Sequence, residues 1–228
     1  DLITIKNGST FNWGGKYSSD YSTRETLYTN LGVFENYIPE INTEINTEYL
    51  YLGNIQPSLQ LDVINKIKKK KRIVSDTMNL WINLDQDGLW DVIKQSNIFL
   101  LNDEEAIELT NKTNLHEIAN DFLKIGPDTV IIKKGSHGCL LVTKKQTLEI
   151  PVYDKIELFD PTGAGDSFAG GLVGYCSKFG EDNLNEALIH ATVSASYTVS
   201  DFGVKGLLSY SEKSFKARCD YVRSKTQS

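Results

Sequence analysis

The sequence reads Asp160-Pro-Thr-Gly-Ala-Gly-Asp-Ser-Phe-Ala169 at the point that decides the fold. The apolar residues Ile156, Leu158 and Phe159 precede it and predict a strand, and the apolar residues after it recur at helical spacing. A glycine-rich turn between a strand and a helix gathers free backbone N–H groups at the positive end of the helix, where they hold an anion. Because a carboxylate there would repel a resting phosphate, we predict that Asp166 is a general base, which deprotonates a hydroxyl as it attacks phosphorus.

Two other interpretations of this stretch compete with that one. In the first, the turn is a plain strand-to-helix connection, and the helix dipole favours a carboxylate at Asp166. In the second, Gly163 and Gly165 begin a dinucleotide-binding G-x-G-x-x-G motif, but Phe168 replaces the third glycine and is too bulky for close packing of helix and strand. The Walker pattern G-x-x-x-x-G-K-[ST] is absent from the sequence.

Three motifs in a fixed order favour the kinase interpretation. Leu101–Ala106 reads LNDEEA, Lys133–Gly138 reads KKGSHG, and Asp160–Gly171 reads DPTGAGDSFAGG. In that order they resemble the N-x-x-E motif, the nucleotide-contacting strand and turn, and the C-terminal signature of the ribokinase/pfkB family of sugar and nucleoside kinases. The resemblance implies an α/β fold with a mostly parallel central sheet, flanking helices and a small β lid. Ser75–Asn79 and Thr10–Tyr17 are similar to the adenosine-kinase-like branch.

The resemblance also implies a catalytic role for the glycine-rich turn. Asp166 would be the general base. The amides of Gly163, Ala164 and Gly165 would stabilise the charge that develops on the transferred phosphoryl group.

Two cation sites follow from the same resemblance. Asn102 and Glu105 come directly after a predicted strand, where an N-cap asparagine with glutamate three residues later also forms a capping box. In the family, Glu105 would help to hold Mg²⁺ through water beside the ATP phosphates, and the two roles are compatible. Asp160 and Thr162 would supply oxygens to a monovalent cation, as in the potassium-dependent family members.

Further nucleotide-binding residues lie in the predicted β-turn around Gly135 and Gly138, where the backbone would approach the nucleotide. Lys133 or Lys134 would supply a charge near the phosphates. Neighbouring strand residues face opposite sides, so at most one of the two lysines does so.

A predicted helix over residues 184–199 would pass the adenine ring. Its small residues Ala191 and Ser194 would leave room for the base, and Gly203 in the next loop would continue the pocket. His190 on the same helix is expected to be structural.

The composition excludes several classes of protein. The 228 residues, 40% hydrophobic and 24% charged, suit one α/β domain, and a net charge of −6 argues against a nucleic-acid partner. The three cysteines match no metal or disulfide spacing, and no stretch is long and apolar enough for a membrane span. We therefore predict a cytoplasmic location, with no membrane or nucleic-acid partner.

We predict a single ribokinase-like domain over residues 1–228. The lid strands fall within about residues 1–37, where Asn7-Gly8 between Leu2–Ile5 and Thr10–Trp13 indicates a hairpin. Strands alternate with helices over about residues 49–228, and this pattern predicts the nucleotide-binding core.

One departure from the family concerns the start of the chain. Family members begin with a strand that carries substrate contacts and with an early Gly-Gly motif. Gly14-Gly15 follows the strand Thr10–Trp13 and is predicted to be a lid turn instead. We therefore expect a fragment with weak or absent activity, unless a partner chain completes the fold.

The predicted function is transfer of a phosphoryl group from ATP, with Mg²⁺, to a hydroxyl of a small sugar or nucleoside. A homodimer through the lid is expected from the resemblance. The alternatives are a catalytically silent nucleotide- or sugar-binding domain of the same fold and, less well supported, a dehydrogenase.

Overall fold

A computed structural model describes residues 7–18 and 24–226 of the chain. The chain divides into two units, Asp1–Ile41 and Asn42–Ser228. Among the described residues, no helix has the length and hydropathy needed to cross a membrane.

The first unit contains a small antiparallel sheet, which agrees with the predicted lid strands. Strand β1 (Asn12–Tyr17) pairs with strand β2 (Arg24–Asn30), and a short 3-10 helix follows at Gly32–Asn36. The predicted strand Leu2–Ile5 lies outside the described residues.

The prediction of a turn at Gly14-Gly15 is wrong, because both glycines lie inside β1 at a β-bulge. Aromatic rings explain why glycines occupy these strand positions. The ring of Tyr28 lies where a β-carbon on Gly14 would be, and the ring of Trp13 lies where a β-carbon on Gly15 would be. The bulge keeps the two strands paired although their register shifts by one residue.

The second unit is built on a six-stranded sheet, and its strands lie side by side in chain order. These strands are β3 (Asn46–Leu52), β4 (Lys69–Ser75), β5 (Ile98–Asn102), β6 (Thr129–Lys133), β7 (Cys139–Thr143) and β8 (Thr147–Ile150). Strands β3 to β6 are parallel, and β7 and β8 are antiparallel to their neighbours. The predicted mostly parallel sheet is confirmed.

Helices cover both faces of this sheet. They are α1 (Pro57–Lys66), α2 (Asn79–Leu84), α3 (Gln86–Gln95), α4 (Asp103–Thr110), α5 (Leu115–Ile125), α6 (Ala164–Phe179), α7 (Leu184–Thr198), α8 (Lys205–Leu208) and α9 (Glu212–Thr226). Proline at its first position opens α1, and asparagine side chains cap α4, α5 and α7.

Alternating strand residues supply the two halves of the core. Ile98 and Leu100 of β5 pack in the cluster that includes α6, α7 and α9, whereas Phe99 and Leu101 pack in the cluster with α3, α4 and α5. All four side chains are fully buried, as expected for a parallel strand covered on both faces.

The strand predicted just before the glycine-rich turn is not formed. Residues 151–163 contain no strand, and Phe159 donates its backbone N–H to Val199 O at 2.8 Å, at the end of α7. Phe159 is 58% exposed, so its apolar side chain does not belong to the core that covers the sheet.

Candidate active site

The glycine-rich turn begins helix α6 in the way the sequence predicts. Gly163 is the N-cap residue of α6 with φ of +83°, a conformation that favours glycine. Ser167 N–H donates to Gly163 O at 3.0 Å and closes the first helical turn. The exposed carboxylate of Asp166 therefore lies in the first turn of a 16-residue helix, beside its positive end.

The structure distinguishes the three predicted oxyanion amides. Ala164 N–H already donates to Pro161 O at 3.1 Å. The N–H groups of Gly163 and Gly165 meet no acceptor in the part of the chain that the structure describes. These two amides are therefore the ones available to an anion.

The end of α7 supports the turn from behind. Thr198 Oγ1 and Ser167 Oγ are hydrogen-bonded at 2.5 Å. A β-carbon on Gly163 would lie 3.6 Å from Thr198 Cγ2. Asp160 N–H donates to Val199 O at 3.4 Å. The start and the finish of the turn are therefore both in contact with the C-terminal end of α7.

Lys133, and not Lys134, reaches the glycine-rich turn. Lys133 Nζ donates to the two carboxylate oxygens of Asp76 at 2.7 and 3.0 Å, and it lies 3.3 Å from where a β-carbon on Gly165 would be. Lys134 faces away and donates to Glu149 Oε2 at 2.7 Å. Strand alternation thus gives only one lysine to the site, as expected.

Lys133 lies among carboxylates, and we call Lys133, Asp76, Glu105 and Asp166 the Lys133 cluster. Burial by itself lowers the pKa of Lys133, but the neighbouring carboxylates outweigh it and raise that pKa above its ordinary value. Burial raises the pKa of Asp76, and the ammonium of Lys133 opposes that shift. Lys133 therefore keeps its positive charge, and the carboxylates around it outnumber that single charge.

The capping box at the start of α4 is confirmed. Glu105 N–H donates to Asn102 Oδ1 at 2.7 Å, and Asn102 N–H donates to Glu105 Oε2 at 2.8 Å. Glu105 is only 3% exposed, and its charge helps to raise the pKa of Lys133. The cap therefore also fixes a buried carboxylate within the Lys133 cluster.

The turn between β6 and β7 is fixed by its glycines. Gly138 has φ of +83°, and a β-carbon there would collide with Ile150 O. Lys134 N–H donates to Gly138 O at 2.7 Å and closes the turn. A β-carbon on Gly135 would meet no atom of the described residues within 4 Å, so the backbone faces open space there.

Ala191 and Ser194 of α7 pack against Gly171 of α6. A β-carbon on Gly171 of α6 would lie 2.5 Å from Ser194 Oγ and 3.0 Å from Ala191 Cα, and Ala191 is fully buried. Their small size therefore makes room for α6, and their place beside the adenine ring stays a prediction. Gly203, with φ of +60°, lies exposed in the loop after α7.

The profile of the pfkB family of carbohydrate kinases matches residues 23–209. The chain belongs to the pfkB family. Its relative ribokinase from Staphylococcus aureus is 34% identical over 120 residues, which cover 50% of this chain and 39% of the staphylococcal protein. The chain spans about half the length of the curated relatives it matches.

Solved structures of the family share the fold. The nucleoside kinase of Methanocaldococcus jannaschii, an archaeal member of the ribokinase family, has a TM-score of 0.76 at 22% identity, covering 95% of this chain and 70% of that one. The aminoimidazole riboside kinase of Salmonella enterica, complexed with aminoimidazole riboside and an ATP analogue, has a TM-score of 0.64 at 20% identity, covering 76% and 63%. The predicted ribokinase-like fold is confirmed.

No group of three or more histidine, cysteine, aspartate or glutamate side chains within the described residues is arranged to hold a metal ion. Mg²⁺ in phosphoryl-transfer sites keeps several waters and uses one or two carboxylates together with substrate phosphates. Glu105, fixed at the start of α4, fits that mode of binding.

Sequence reasoning missed Gln60, which contacts the ends of both β3 and β4. The buried Gln60 donates to Gly53 O at 2.9 Å and to Asp76 O at 3.1 Å, and so holds the two strand ends together. Asp76 directly follows β4 at the same end of the sheet as Asn102, and this place after a strand already indicates in the sequence that it could join the same polar site.

Proposed function

We propose that this chain carries the phosphoryl-transfer site of an ATP-dependent kinase whose acceptor is a hydroxyl of a small sugar or nucleoside. The observation that supports it best is the start of α6, where Asp166, two available amides and the ammonium of Lys133 surround one short turn. Anion binding alone gives no reason for a carboxylate in that turn. A general base next to a phosphate site does.

In the proposed reaction, the acceptor oxygen attacks the γ-phosphorus of ATP while Asp166 takes the proton of that hydroxyl. A new P–O bond forms to the acceptor, and the P–O bond to the leaving ADP breaks with its electron pair. The amides of Gly163 and Gly165 stabilise the charge that develops on the transferred group. Lys133 lies next to Gly165 and adds positive charge on the same side.

Glu105 would hold Mg²⁺ through water, and bound Mg²⁺ supplies charge neutralisation at the phosphates. For a monovalent cation, we propose Asp160 and Thr162. Asp160 Oδ1 accepts the N–H of Thr162 at 2.9 Å, so one carboxylate oxygen is already engaged in the loop. The site would use the remaining oxygens of these two residues.

The nucleotide is proposed to lie along the open backbone at Gly135, the Gly138 turn and Gly203. The riboside in the Salmonella structure and the nucleoside kinase from Methanocaldococcus support a riboside or nucleoside as acceptor here. A cytoplasmic location and a homodimer through the small sheet remain predictions.

The substitution Asp166→Asn tests the proposal, on this chain and on any longer form of it. Loss of the general base should lower kcat about 10²- to 10⁴-fold while the affinity for ATP stays within about twofold. Phosphorylation of adenosine, cytidine, ribose and fructose would be measured, with ATP binding followed by calorimetry.

Asp87→Asn is the matched control, since Asp87 is also an acid in the first turn of a helix. If Asp166 serves only the helix dipole, both variants will lose a little stability and no turnover. Wild-type protein that binds ATP but phosphorylates nothing would instead support the catalytically silent alternative.

A further inference from the structure

Two buried hydroxyl groups near Asp76 have no hydrogen-bond partner among the described residues: Tyr51 Oη and Thr77 Oγ1. Thr77 is only 5% exposed. Buried polar groups are nearly always hydrogen-bonded, and leaving one unpaired destabilises the protein. Two buried hydroxyls without a partner beside the candidate active site are therefore available to hydrogen-bond a ligand.

Both hydroxyls lie at the edge of the sheet where the proposed site is. Tyr51 is the penultimate residue of β3, and Thr77 follows Asp76 directly after β4. Asp76 N–H donates to Leu52 O at 3.0 Å, and Gln60 holds the same two strand ends, so the position of the pair is fixed by the fold.

The charge around Tyr51 makes it a donor. Burial raises the pKa of Tyr51, and the charges of Asp76 and Asp166 raise it further. The phenol therefore keeps its proton and lies within electrostatic reach of the proposed general base.

The order of the strands separates this pair from the nucleotide residues. Asn102 is the last residue of β5, and Gly135 follows β6. Tyr51 lies in β3 and Thr77 follows β4, so the strand order β3-β4-β5-β6 places both on the β3 side of Asn102 and Gly135. The hydroxyls are therefore apart from the predicted nucleotide residues, and Tyr51 is close enough to Asp166 to be affected by its charge.

Tyr49 shows that tyrosine hydroxyls of β3 are not generally left without a hydrogen-bond partner. It lies on the same face of the strand, two residues earlier, and its hydroxyl donates to Glu181 Oε1 at 2.9 Å. The tyrosine away from the site is satisfied within the protein, and the one at the site is not.

We propose that Tyr51 Oη and Thr77 Oγ1 bind hydroxyl groups of the acceptor and hold it against Asp166, so that a polyhydroxylated sugar or riboside is selected. This assignment rests on the proposed function. It adds two specificity-determining residues to the site.

The test compares Tyr51→Phe and Thr77→Val with the matched control Tyr49→Phe. At saturating ATP and Mg²⁺, the probes are adenosine, cytidine, ribose and fructose. We expect each site variant to raise the KM for the phosphorylated probe about 3- to 10-fold, the worth of one neutral hydrogen bond, with the KM for ATP unchanged. Tyr51→Phe should melt at the wild-type temperature or higher, whereas Tyr49→Phe should melt lower with unchanged KM values.

The proposal is overturned if Tyr51→Phe is more stable and leaves every acceptor KM unchanged, because the hydroxyl would then serve at most a buried water. A rise in the KM for ATP alone would also overturn it. If wild-type protein phosphorylates no probe, the proposed function fails separately, and the shift in melting temperature that each probe causes becomes the readout. A shift that Tyr51→Phe loses then supports the assignment, and an equal shift in both proteins, or none in either, contradicts it.

Discussion

Lys133 and Arg72 lie toward opposite ends of the strands of the same sheet. They differ in how completely hydrogen bonds within the protein satisfy their carboxylate partners. Arg72 donates to both oxygens of Asp128 at 2.6 and 2.7 Å and to both oxygens of Glu181 at 2.8 and 2.7 Å. Tyr49 also donates to Glu181, and we call these four residues the Arg72 network. The guanidinium of Arg72 thus bonds to all four oxygens of its two carboxylate partners, with the bidentate geometry that arginine favours.

The Lys133 cluster has the opposite character. One ammonium serves the carboxylates of Asp76, Glu105 and Asp166, and the nearby Tyr51 and Thr77 hydroxyls have no partner within the described part of the chain. The comparison shows how a structural ion network and a candidate active site differ. The first satisfies its own groups, and the second leaves charge and hydrogen-bonding capacity for a ligand.

The largest effect is expected from Lys133→Met. Asp76 would stay buried without its counter-charge, so we expect a loss of about 3–5 kcal/mol in the free energy of unfolding. Because Lys133 also lies next to the turn that we propose holds the phosphoryl group, kcat should fall about 10²-fold or more. Urea denaturation and the phosphorylation assay measure the two effects.

Asp76→Asn combined with Lys133→Met separates these effects. The double variant removes both charges and should recover most of the stability but none of the turnover. Lys134→Met is the matched control, and its pair with the 56% exposed Glu149 should be worth about 0–1 kcal/mol. Recovery of turnover in the double variant would show that Lys133 serves only Asp76.

A smaller effect, on stability alone, is expected from Arg72→Met. The loss of the fork to Glu181 and Asp128 should cost about 1–3 kcal/mol at neutral pH, with kcat and KM unchanged. Lys71→Met is the control, because Lys71 pairs with Glu48 only at the exposed surface. Altered kinetics in Arg72→Met would mean that the two ends of the strands are coupled.

The pH dependence of that loss has a defined sign. Burial raises the pKa of Asp128, but its hydrogen bonds to Arg72 outweigh burial and bring the pKa below the ordinary value of 3.8. A lowered pKa in the folded state gives stability that is present above about pH 4 and is lost as the pH falls through the folded value. The difference in stability between wild type and Arg72→Met should therefore shrink below about pH 4.

The smallest effect is expected from Gly165→Ala. The added methyl group would lie 3.3 Å from Lys133 Nζ, so the lysine must shift by a few tenths of an ångström. We expect kcat to fall by roughly tenfold or less, because small misplacements at a reacting centre reduce rates. Gly170→Ala, in the same helix but facing open space, should gain up to about 1 kcal/mol and keep its kcat. An unchanged kcat in Gly165→Ala would indicate that Lys133 takes no part in phosphoryl transfer.

The sequence by itself determined the features that depend on neighbouring residues. The alternation of strands with helices in the core, the helix that begins after Gly163 with Asp166 in its first turn, and the capping box of Asn102 and Glu105 were predicted and are present, whereas the strand expected just before the glycine-rich turn is not formed. Each of these follows from hydrophobic period, turn chemistry or capping over a few residues. The family resemblance added the roles of these residues, which await the experiments above.

Only the tertiary structure decided which residues meet. In it, Lys133 and not Lys134 lies next to the glycine-rich turn, and Lys133 pairs with Asp76 across 57 positions of sequence. Ala191 packs against α6, and residues 151–163 lie outside the sheet. The tertiary structure also showed that the hydroxyls of Tyr51 and Thr77 are buried without a partner among the described residues. Contacts between residues far apart in sequence depend on how strands and helices pack, and a local sequence pattern carries no information about that packing.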